Sequence, residues 1–211
     1  MSTLTQNLKL IKPELSDNGR QTILDLASNM DKLDEASEVS SLSIPESGYW
    51  NKQKKIYYSN PQIGGYVGAV NIRSGQAAPK WSSLRRVVVG DPIVPSQDNG
   101  HYYVCTQSGH SAPYEPTWQI AAGSVTEDTK NKAVWRPQQV YRENDIVVPT
   151  FPSDRFYVCT IAGTSGASEP NWSTTDGNAT RDAGIIWMAY RIVKWKESGT
   201  AAHFRPFGKI E

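Results

Sequence analysis

The chain has little of several features that common functional classes require. Its 211 residues include only two cysteines and three histidines, and no apolar run approaches the ~18 residues of a membrane-spanning helix. A framework of several disulfides is therefore excluded. The start of the chain has no charged and apolar signal-peptide pattern, so we expect neither secretion through such a signal nor insertion into a membrane.

An excess of charge of either sign is also missing. The chain has 22 basic and 21 acidic residues, a net charge of +1. Because nucleic-acid binders and proteins that adsorb to anionic membranes usually carry clustered basic residues, we expect neither kind of partner. The hydrophobic fraction is 38%, yet there are seven Trp and ten Tyr. This balance favours small β modules that bind or scaffold over a large enzyme core.

What the chain does contain is an internal repeat. Residues 145–182 repeat residues 91–128 at an offset of 54 residues, and 15 of the 38 aligned positions are identical. The shared signature is Asp-x-x-Val-Pro, Tyr-Val-Cys-Thr, Gly-x-Ser, Glu-Pro-x-Trp and Gly-x-x-Thr-x-Asp. A fixed period of this kind is typical of arrays in which neighbouring units cover each other's apolar surface.

Each repeat has the pattern of a small antiparallel β unit. Runs of β-branched and aromatic residues around Tyr103 and Tyr157 alternate with turns rich in Gly, Pro and Ser, which predicts short strands. A last strand ending at Trp135 would complete the first repeat, and one ending at Trp187 the second. Weaker echoes of the pattern on both sides predict truncated units that cap the array.

These patterns predict a mainly β protein. An N-terminal extended arm and one α-helix precede two tandem 54-residue repeats of small antiparallel β modules, with truncated units on either side. The expected segments are the anchoring arm, helix and linker 1–48, a truncated unit 49–85, the first repeat 86–137, the second repeat 138–190 and a C-terminal cap 191–211. The boundary after residue 48 rests on the Ser-rich composition of 36–48.

One amphipathic helix is predicted near the N-terminus. Residues 16–18, Ser-Asp-Asn, can cap a helix that runs to about Glu35. Its apolar stripe consists of Ile23, Leu26, Ala27, Met30 and Leu33. The stripe either packs on the helix's own domain or meets copies of itself around a symmetry axis. The second alternative predicts a homotrimer.

The segment before the helix reads as an arm that needs a surface to lie on. We assign anchoring and oligomerisation to the apolar residues of the arm and of the helix, which are Leu8, Leu10, Ile11, Ile23, Leu26, Met30 and Leu33.

No constellation for catalysis or metal binding is recognisable. The repeated carboxylates, Glu115 with Glu169 and Asp128 with Asp182, occupy equivalent sites of different units, so neither pair is expected to reach catalytic separation. Glu before Pro-x-Trp is better explained as an acceptor for loop N–H groups, and the Asp residues as turn formers. We therefore predict a non-enzymatic protein without cofactor or metal.

The two cysteines and the aromatic residues leave alternatives open. Cys105 and Cys159 stand at the same position of the two repeats, which favours two buried free thiols over a disulfide. The aromatic side chains are either core or rings on which sugars stack. The candidates for carbohydrate binding are Tyr114, Tyr102, Phe156, Trp118 and Trp172. For the tryptophans a core role is favoured, and Tyr114 is the best candidate for an exposed ring.

Two parts of the chain resemble known proteins. The segment Leu8–Asp17 with the following helix resembles the N-termini of fibre, appendage and baseplate proteins of tailed phages of Gram-positive bacteria. The repeated signature is similar to modules of phage fibres and of surface-associated carbohydrate-binding proteins. The resemblance implies a virion protein, assembled in the host cytoplasm, that docks on capsid, neck or tail proteins and is commonly trimeric.

Two functions follow as expectations. The first is a non-enzymatic virion structural protein, such as a head or tail fibre, a decoration or an adaptor, with its N-terminal segment anchored in the particle. The alternative is a carbohydrate-binding protein that recognises glycans on the host cell surface.

Overall fold

The computed structural model describes residues 3–151 and 153–211, and the fold is mainly β with one helix, as the sequence predicts. The first elements are β1 (Thr3–Leu4), β2 (Ile11–Lys12), α1 (Gly19–Ala36), β3 (Val39–Ser41), β4 (Tyr49–Trp50), β5 (Lys55–Tyr58), β6 (Tyr66–Arg73) and β7 (Gly75–Gln76). The next are β8 (Arg86–Val87), β9 (Pro92–Ile93), β10 (His101–Gln107), β11 (Gly109–His110), β12 (Val125–Glu127), β13 (Ala133–Val134) and β14 (Val140–Tyr141). The last are β15 (Ile146–Val148), β16 (Arg155–Ile161), β17 (Gly163–Thr164), β18 (Ala179–Asp182), β19 (Ile185–Arg191), β20 (Lys194–Thr200) and β21 (His203–Lys209).

The chain divides into two compact units. The N-terminal unit consists of residues 3–44, 55–70 and 206–211. The repeat unit consists of residues 45–54 and 71–205.

The N-terminal unit contains the predicted helix. The side chain of Asn18 caps α1 by accepting a hydrogen bond from the backbone N–H of Arg20 at 2.9 Å. The helix ends at Ala36, within one residue of the predicted end. The arm before it is not extended throughout. Strands β1 and β2 form a short antiparallel hairpin, in which Leu4 lies opposite Ile11.

The second module, residues 133–192, is continuous in sequence. Its main sheet has the strand order β13-β15-β16-β19-β18, and β14 pairs with β17 beside it. In the central pair β16–β19, Cys159 lies opposite Trp187. Only Ala183 and Gly184 separate β18 from β19. The buried core consists of Trp135, Tyr141, Val147, Tyr157, Cys159, Ile185, Trp187 and Ala189.

The first module, residues 81–128 with 193–200, is interrupted. Its main sheet has the order β12-β20-β10-β9, and β8 pairs with β11. Cys105 lies opposite Trp195 of β20, as Cys159 lies opposite Trp187. The last strand of the first module is therefore β20 and not the expected strand ending at Trp135. Residues 133–134 instead form β13, which pairs with β15 of the second module.

The second module is thus inserted into the first, between β12 and β20. The identity between the repeats ends at Asp128 and Asp182, so it carries no information about where the following strand comes from. The true counterpart of Trp135 is Trp81, because these residues precede the equivalent strands β14 and β8. The repeats are nested rather than consecutive, which corrects the boundaries at 137 and 190.

A partial third copy surrounds the first module. Strand β4 pairs with β7 so that Trp50 lies opposite Gly75, just as Tyr141 lies opposite Gly163. The ring of Phe204 in β21 meets Trp50 edge to face, with centroids 5.7 Å apart. Tyr141 and Trp187 make the same contact at 4.9 Å. The echoes on both sides of the repeats are therefore two parts of one copy.

A glycine marks the point where the chain returns in each copy. A Cβ atom on Gly75 would lie 2.4 Å from the carbonyl oxygen of Thr200, and one on Gly109 would lie 2.2 Å from that of Arg191. On Gly163 the corresponding distance, to the carbonyl oxygen of Gly184, is 3.0 Å. The Gly of the Gly-x-Ser signature is thus required by the close approach of the returning backbone.

The copies meet through the same contacts at each level. The N–H of Ile192 donates to the carbonyl of Asp154 at 2.8 Å, and the N–H of Ala201 donates to that of Gly100 at 3.0 Å. Between the first and second modules lies an apolar cluster of Ala112, Ile146, Phe156, Val158 and Ile192, flanked by Val148 and Tyr190. Repetition of the junction makes the repeat unit a short stack.

Candidate functional site

The last residue of the repeat signature is a buried carboxylate. In the first module, Oδ2 of Asp128 accepts the indole N–H groups of Trp81 at 2.8 Å and Trp195 at 3.0 Å. Its Oδ1 accepts the backbone N–H of Ala112 at 3.2 Å. The side chain was expected to form a turn. Instead it joins the first and last segments of an interrupted module.

The second module builds the same arrangement. Oδ2 of Asp182 accepts from Trp135 at 2.8 Å and from Trp187 at 3.1 Å, while Oδ1 accepts from the N–H of Gly166 at 2.7 Å. In both modules, two tryptophans far apart in sequence share one carboxylate oxygen. We call this arrangement the Trp–Asp–Trp clamp.

Burial changes the acidity of the clamp in the first module. Loss of water raises the pKa of Asp128 to about 6, although the two indole N–H groups oppose the shift by stabilising the charged form. The carboxylate accepts hydrogen bonds from three donors of its own module, so both of its oxygens are engaged inside the module.

The repeated glutamate has the structural role predicted from sequence. Oε1 of Glu115 accepts the backbone N–H of Ser96 at 2.8 Å and the indole N–H of Trp118 at 2.9 Å. Glu169 does the same for Thr150 at 3.0 Å and Trp172 at 2.7 Å. Each glutamate therefore ties a loop to a tryptophan.

The tryptophans of the Glu-Pro-x-Trp motif are half-buried. Trp118 packs against the ring of Tyr103 with centroids 4.4 Å apart, and Trp172 packs against Tyr157 at 4.2 Å. Each also meets the clamp tryptophan of its module edge to face. One face and the N–H group of each indole are used inside the module, which favours the core role over the sugar-stacking role.

The remaining polar residues of the signature also bond within the modules. The hydroxyl groups of Tyr103 and Tyr157 donate to carbonyl oxygens of the following loop at 3.1 and 2.9 Å. Ser111 and Ser165 each join two backbone segments. What makes the repeats alike is thus the set of bonds that folds them, and function must be sought where the copies differ.

The other three candidates for carbohydrate binding differ in how far their rings are exposed. Phe156 is fully buried in the cluster between the first and second modules, so its assignment to sugar binding is wrong. Its counterpart Tyr102 is half-buried. Tyr114 exposes 43% of its surface from a loop of the first module, and Ser168 stands at the equivalent position of the second.

The cysteines are buried free thiols, as expected. Burial raises the pKa of Cys105 and that of Cys159 to about 11, which keeps both protonated at neutral pH. Across residues 3–151 and 153–211, no group of three or more His, Cys, Asp or Glu side chains is placed to hold a metal ion.

Histidine–carboxylate pairs are features that sequence reasoning missed. Nδ1 of His101 lies 2.8 Å from Oε1 of Glu197, and His203 bonds to Asp98. Burial alone would raise the pKa of Asp98, but hydrogen bonds from Arg73, the N–H of Gly100 and His203 outweigh it and lower the pKa to about 2. The partners are far apart in sequence, so no local motif indicates them.

The helix α1 turns its polar face towards its own hairpin. The side chain of Asn29 accepts from the N–H of Ile11 at 2.8 Å and donates to the carbonyl of the same residue at 2.7 Å. Asn29 and Asp25 are the buried residues of the helix. The amide of Asn29 thus pairs with the strand β2 as a neighbouring backbone would.

The apolar stripe of the helix is consequently uncovered. The exposed fractions are 69% for Ile23, 45% for Leu26, 64% for Met30 and 45% for Leu33. Ala27, between them, is also exposed. The structure therefore does not bring the stripe into a core of the single chain. In the arm, Leu8 is 41% exposed, while Leu10 and Ile11 are half-buried.

No protein-family model, no curated protein and no solved structure matches this chain. Within the part of the chain that the structure describes, α1 is the only helix, and it is not long and apolar enough to cross a membrane.

Proposed function

We propose that the protein is a non-enzymatic structural component of a tailed-phage particle, attached through its N-terminal unit, with the stacked β modules as the presented part. The observation that carries the proposal is the apolar face of α1. A row of large apolar side chains on a helix that is already held by its polar face is typical of a protein–protein contact surface.

The repeat unit supports the same proposal. The carboxylates of both clamps and both repeated glutamates accept hydrogen bonds from donors of their own module. Because each inner module is inserted into the next one, two chain segments connect it to that neighbour. A stack of this kind suits a rigid spacer or adaptor better than an enzyme, because catalysis requires polar groups left available to a substrate.

The proposal is tested on purified particles of the phage that encodes the chain. The double variant Leu26→Asp, Met30→Asp places two charges on the apolar face, and we expect its copy number per particle, measured by quantitative mass spectrometry, to fall at least tenfold. The matched control is Leu42→Asp, Ile63→Asp, which changes two residues of the same unit that are 83% and 86% exposed.

Equal incorporation of both variants would contradict attachment through this face. Circular dichroism must show that both variants keep the helix, which we expect because all four side chains point to solvent.

Glycan recognition is the second candidate, favoured by one observation. Tyr114 is an exposed ring that belongs to neither core and is not shared between the repeats. We expect Tyr114→Ala to reduce binding to purified host cell walls, with Tyr49→Ala, which removes a ring exposed to 67%, as the control. Unchanged binding of the Tyr114 variant would reject this candidate.

A further inference from the structure

The spacing on the exposed face of α1 is that of a helix–helix seam. Ile23 and Met30 lie seven residues apart, as do Leu26 and Leu33, and the two series alternate at intervals of three and four. This is the a/d pattern of a coiled coil, in which each side chain inserts between residues of a facing helix. The seam therefore fits another helix better than a flat or irregular surface.

One flank of the seam is blocked by the protein itself. In the heptad that places Ile23 at a, Thr22 and Asn29 occupy the g positions. Asn29 is 8% exposed because it is bonded to Ile11 of the hairpin. A helix in a three-stranded bundle needs both flanks for its two neighbours, whereas a two-stranded pair can form on a, d and one flank. The hairpin thus favours a single helical partner.

The open flank carries complementary charges. Its e positions are Arg20, Ala27 and Asp34, all exposed. Arg20 and Asp34 lie seven residues before and after Ala27, so a two-fold axis beside Ala27 would place each Arg20 next to the Asp34 of a second copy. In a parallel pair, e positions face g positions, and the g residues of this helix carry no charge.

We infer that α1 pairs with α1 of a second copy of this chain in an antiparallel, two-fold arrangement centred on Ala27. The inference rests on the proposed role of the N-terminal unit in attachment and names the partner of its apolar face as a copy of the same chain, so that a chain attaches by pairing with a copy already held in the particle. The small side chain at the centre lets the helices approach closely, and the apolar seam residues flank it on both sides.

The interface is small. Stable complexes bury about 800 Å² per partner, and one face of a five-turn helix supplies roughly half of that. We therefore expect a reversible dimer with a dissociation constant in the micromolar range, which assembly on a particle would strengthen by raising the local concentration.

The first test is the mass of the full chain in solution. Sedimentation equilibrium between about 1 and 200 µM should show a monomer–dimer equilibrium. Leu26→Asp should abolish it, while Ile63→Asp should not. A monomer throughout the range, or the trimer expected from sequence, would overturn the inference.

The second test is a charge exchange. Arg20→Asp and Asp34→Arg should each weaken the dimer about three- to tenfold, because each places like charges together at both ends of the seam. The double variant should restore the affinity, since it only reverses the direction of each pair. Absence of restoration would contradict the antiparallel pairing.

Cysteine cross-linking locates the axis. Under mild oxidation Ala27→Cys should form a disulfide-linked dimer, because two copies of this position lie next to the axis. Leu33→Cys should not, because its two copies would be about 18 Å apart along the helix axes. Cross-linking of Leu33→Cys but not of Ala27→Cys would indicate parallel helices, in which the d positions face each other and the e positions do not. The native cysteines are buried and give no background.

The outcomes separate the inference from the proposed function. A monomeric chain whose incorporation into particles still depends on Leu26 and Met30 would refute self-pairing and leave attachment intact. A dimer whose seam variants are incorporated normally would support the pairing and refute attachment through this face.

Discussion

Asp128 holds the interrupted module together at the residue scale. Its Oδ2 is shared by Trp81 and Trp195, which enter and leave the first module on either side of the inserted one. In Asp128→Asn, one of the two oxygens becomes an amide nitrogen that cannot accept a hydrogen bond. We expect the free energy of unfolding to fall by about 2–4 kcal/mol, measured by urea denaturation. The exposed neighbour variant Glu127→Gln should change it by less than about 1 kcal/mol.

The same residue predicts a pH dependence. Because the folded-state pKa of Asp128 is raised to about 6 from 3.8, the folded protein favours the protonated acid. Its contribution to stability is complete below about pH 4 and is lost as the pH rises through 6. The difference in unfolding free energy between the parent and Asp128→Asn should therefore become smaller as the pH rises from about 4.5 to about 7. A gap that widens would contradict the raised pKa.

Trp172 tests whether the half-buried indoles belong to the core. Trp172→Ala removes the contact with Tyr157 and the bond to Glu169, so we expect a loss of about 2–4 kcal/mol in unfolding free energy. Tyr114→Ala, which removes an exposed ring, should melt like the parent. A Trp172→Ala protein with unchanged melting would show that the indole is a surface ring.

The arrangement of the strands predicts that the two modules differ in their ability to fold in isolation. The segment 133–192 contains every strand of the second module, together with Asp182 and both tryptophans of its clamp, so we expect it to fold alone. The segment 81–128 lacks β20 and its Trp195, so we expect it to stay unfolded although its signature is equally complete. Amide chemical-shift dispersion in NMR spectra distinguishes the two results, and a folded 81–128 fragment would contradict the nested topology.

Sequence reasoning succeeded where the signal is local. The cap at Asn18 and the strands around Tyr103 and Tyr157 follow from neighbours within a few residues. It failed for pairs far apart in the chain. No local pattern around Trp195 indicates that its strand pairs with β10 rather than belonging to the expected C-terminal cap, because the propensity of a strand does not specify its partner.

The candidate surfaces divide in the same way. The apolar stripe of α1 was visible as a helical period, but only the bonds of Asn29 to Ile11 show which face the chain itself covers. Phe156 and Tyr102 are equivalent aromatic positions, and only the structure shows that the first is buried in the cluster around Ala112 while the second is half-buried.

For the whole molecule, nesting predicts that the inner module can be removed cleanly. In the second module, Ala183 and Gly184 connect Asp182 to the last strand. Replacing residues 129–192 by Ala-Gly would connect Asp128 to Val193 in the same way. We expect a shorter protein that unfolds cooperatively, at a lower temperature because the cluster around Ala112 loses its cover. An unfolded product, with the parent folded, would show that the copies are not equivalent.

Nesting also sets how the repeat unit responds to tension. A pull applied between β4 and β21 acts first on the outermost copy, because the first module lies between its strands and the second module lies between the strands of the first. The inner modules bear no force until the strand pairs of the outermost copy have separated. Rupture should therefore proceed from the outside inward, in discrete steps, with the continuous second module yielding last.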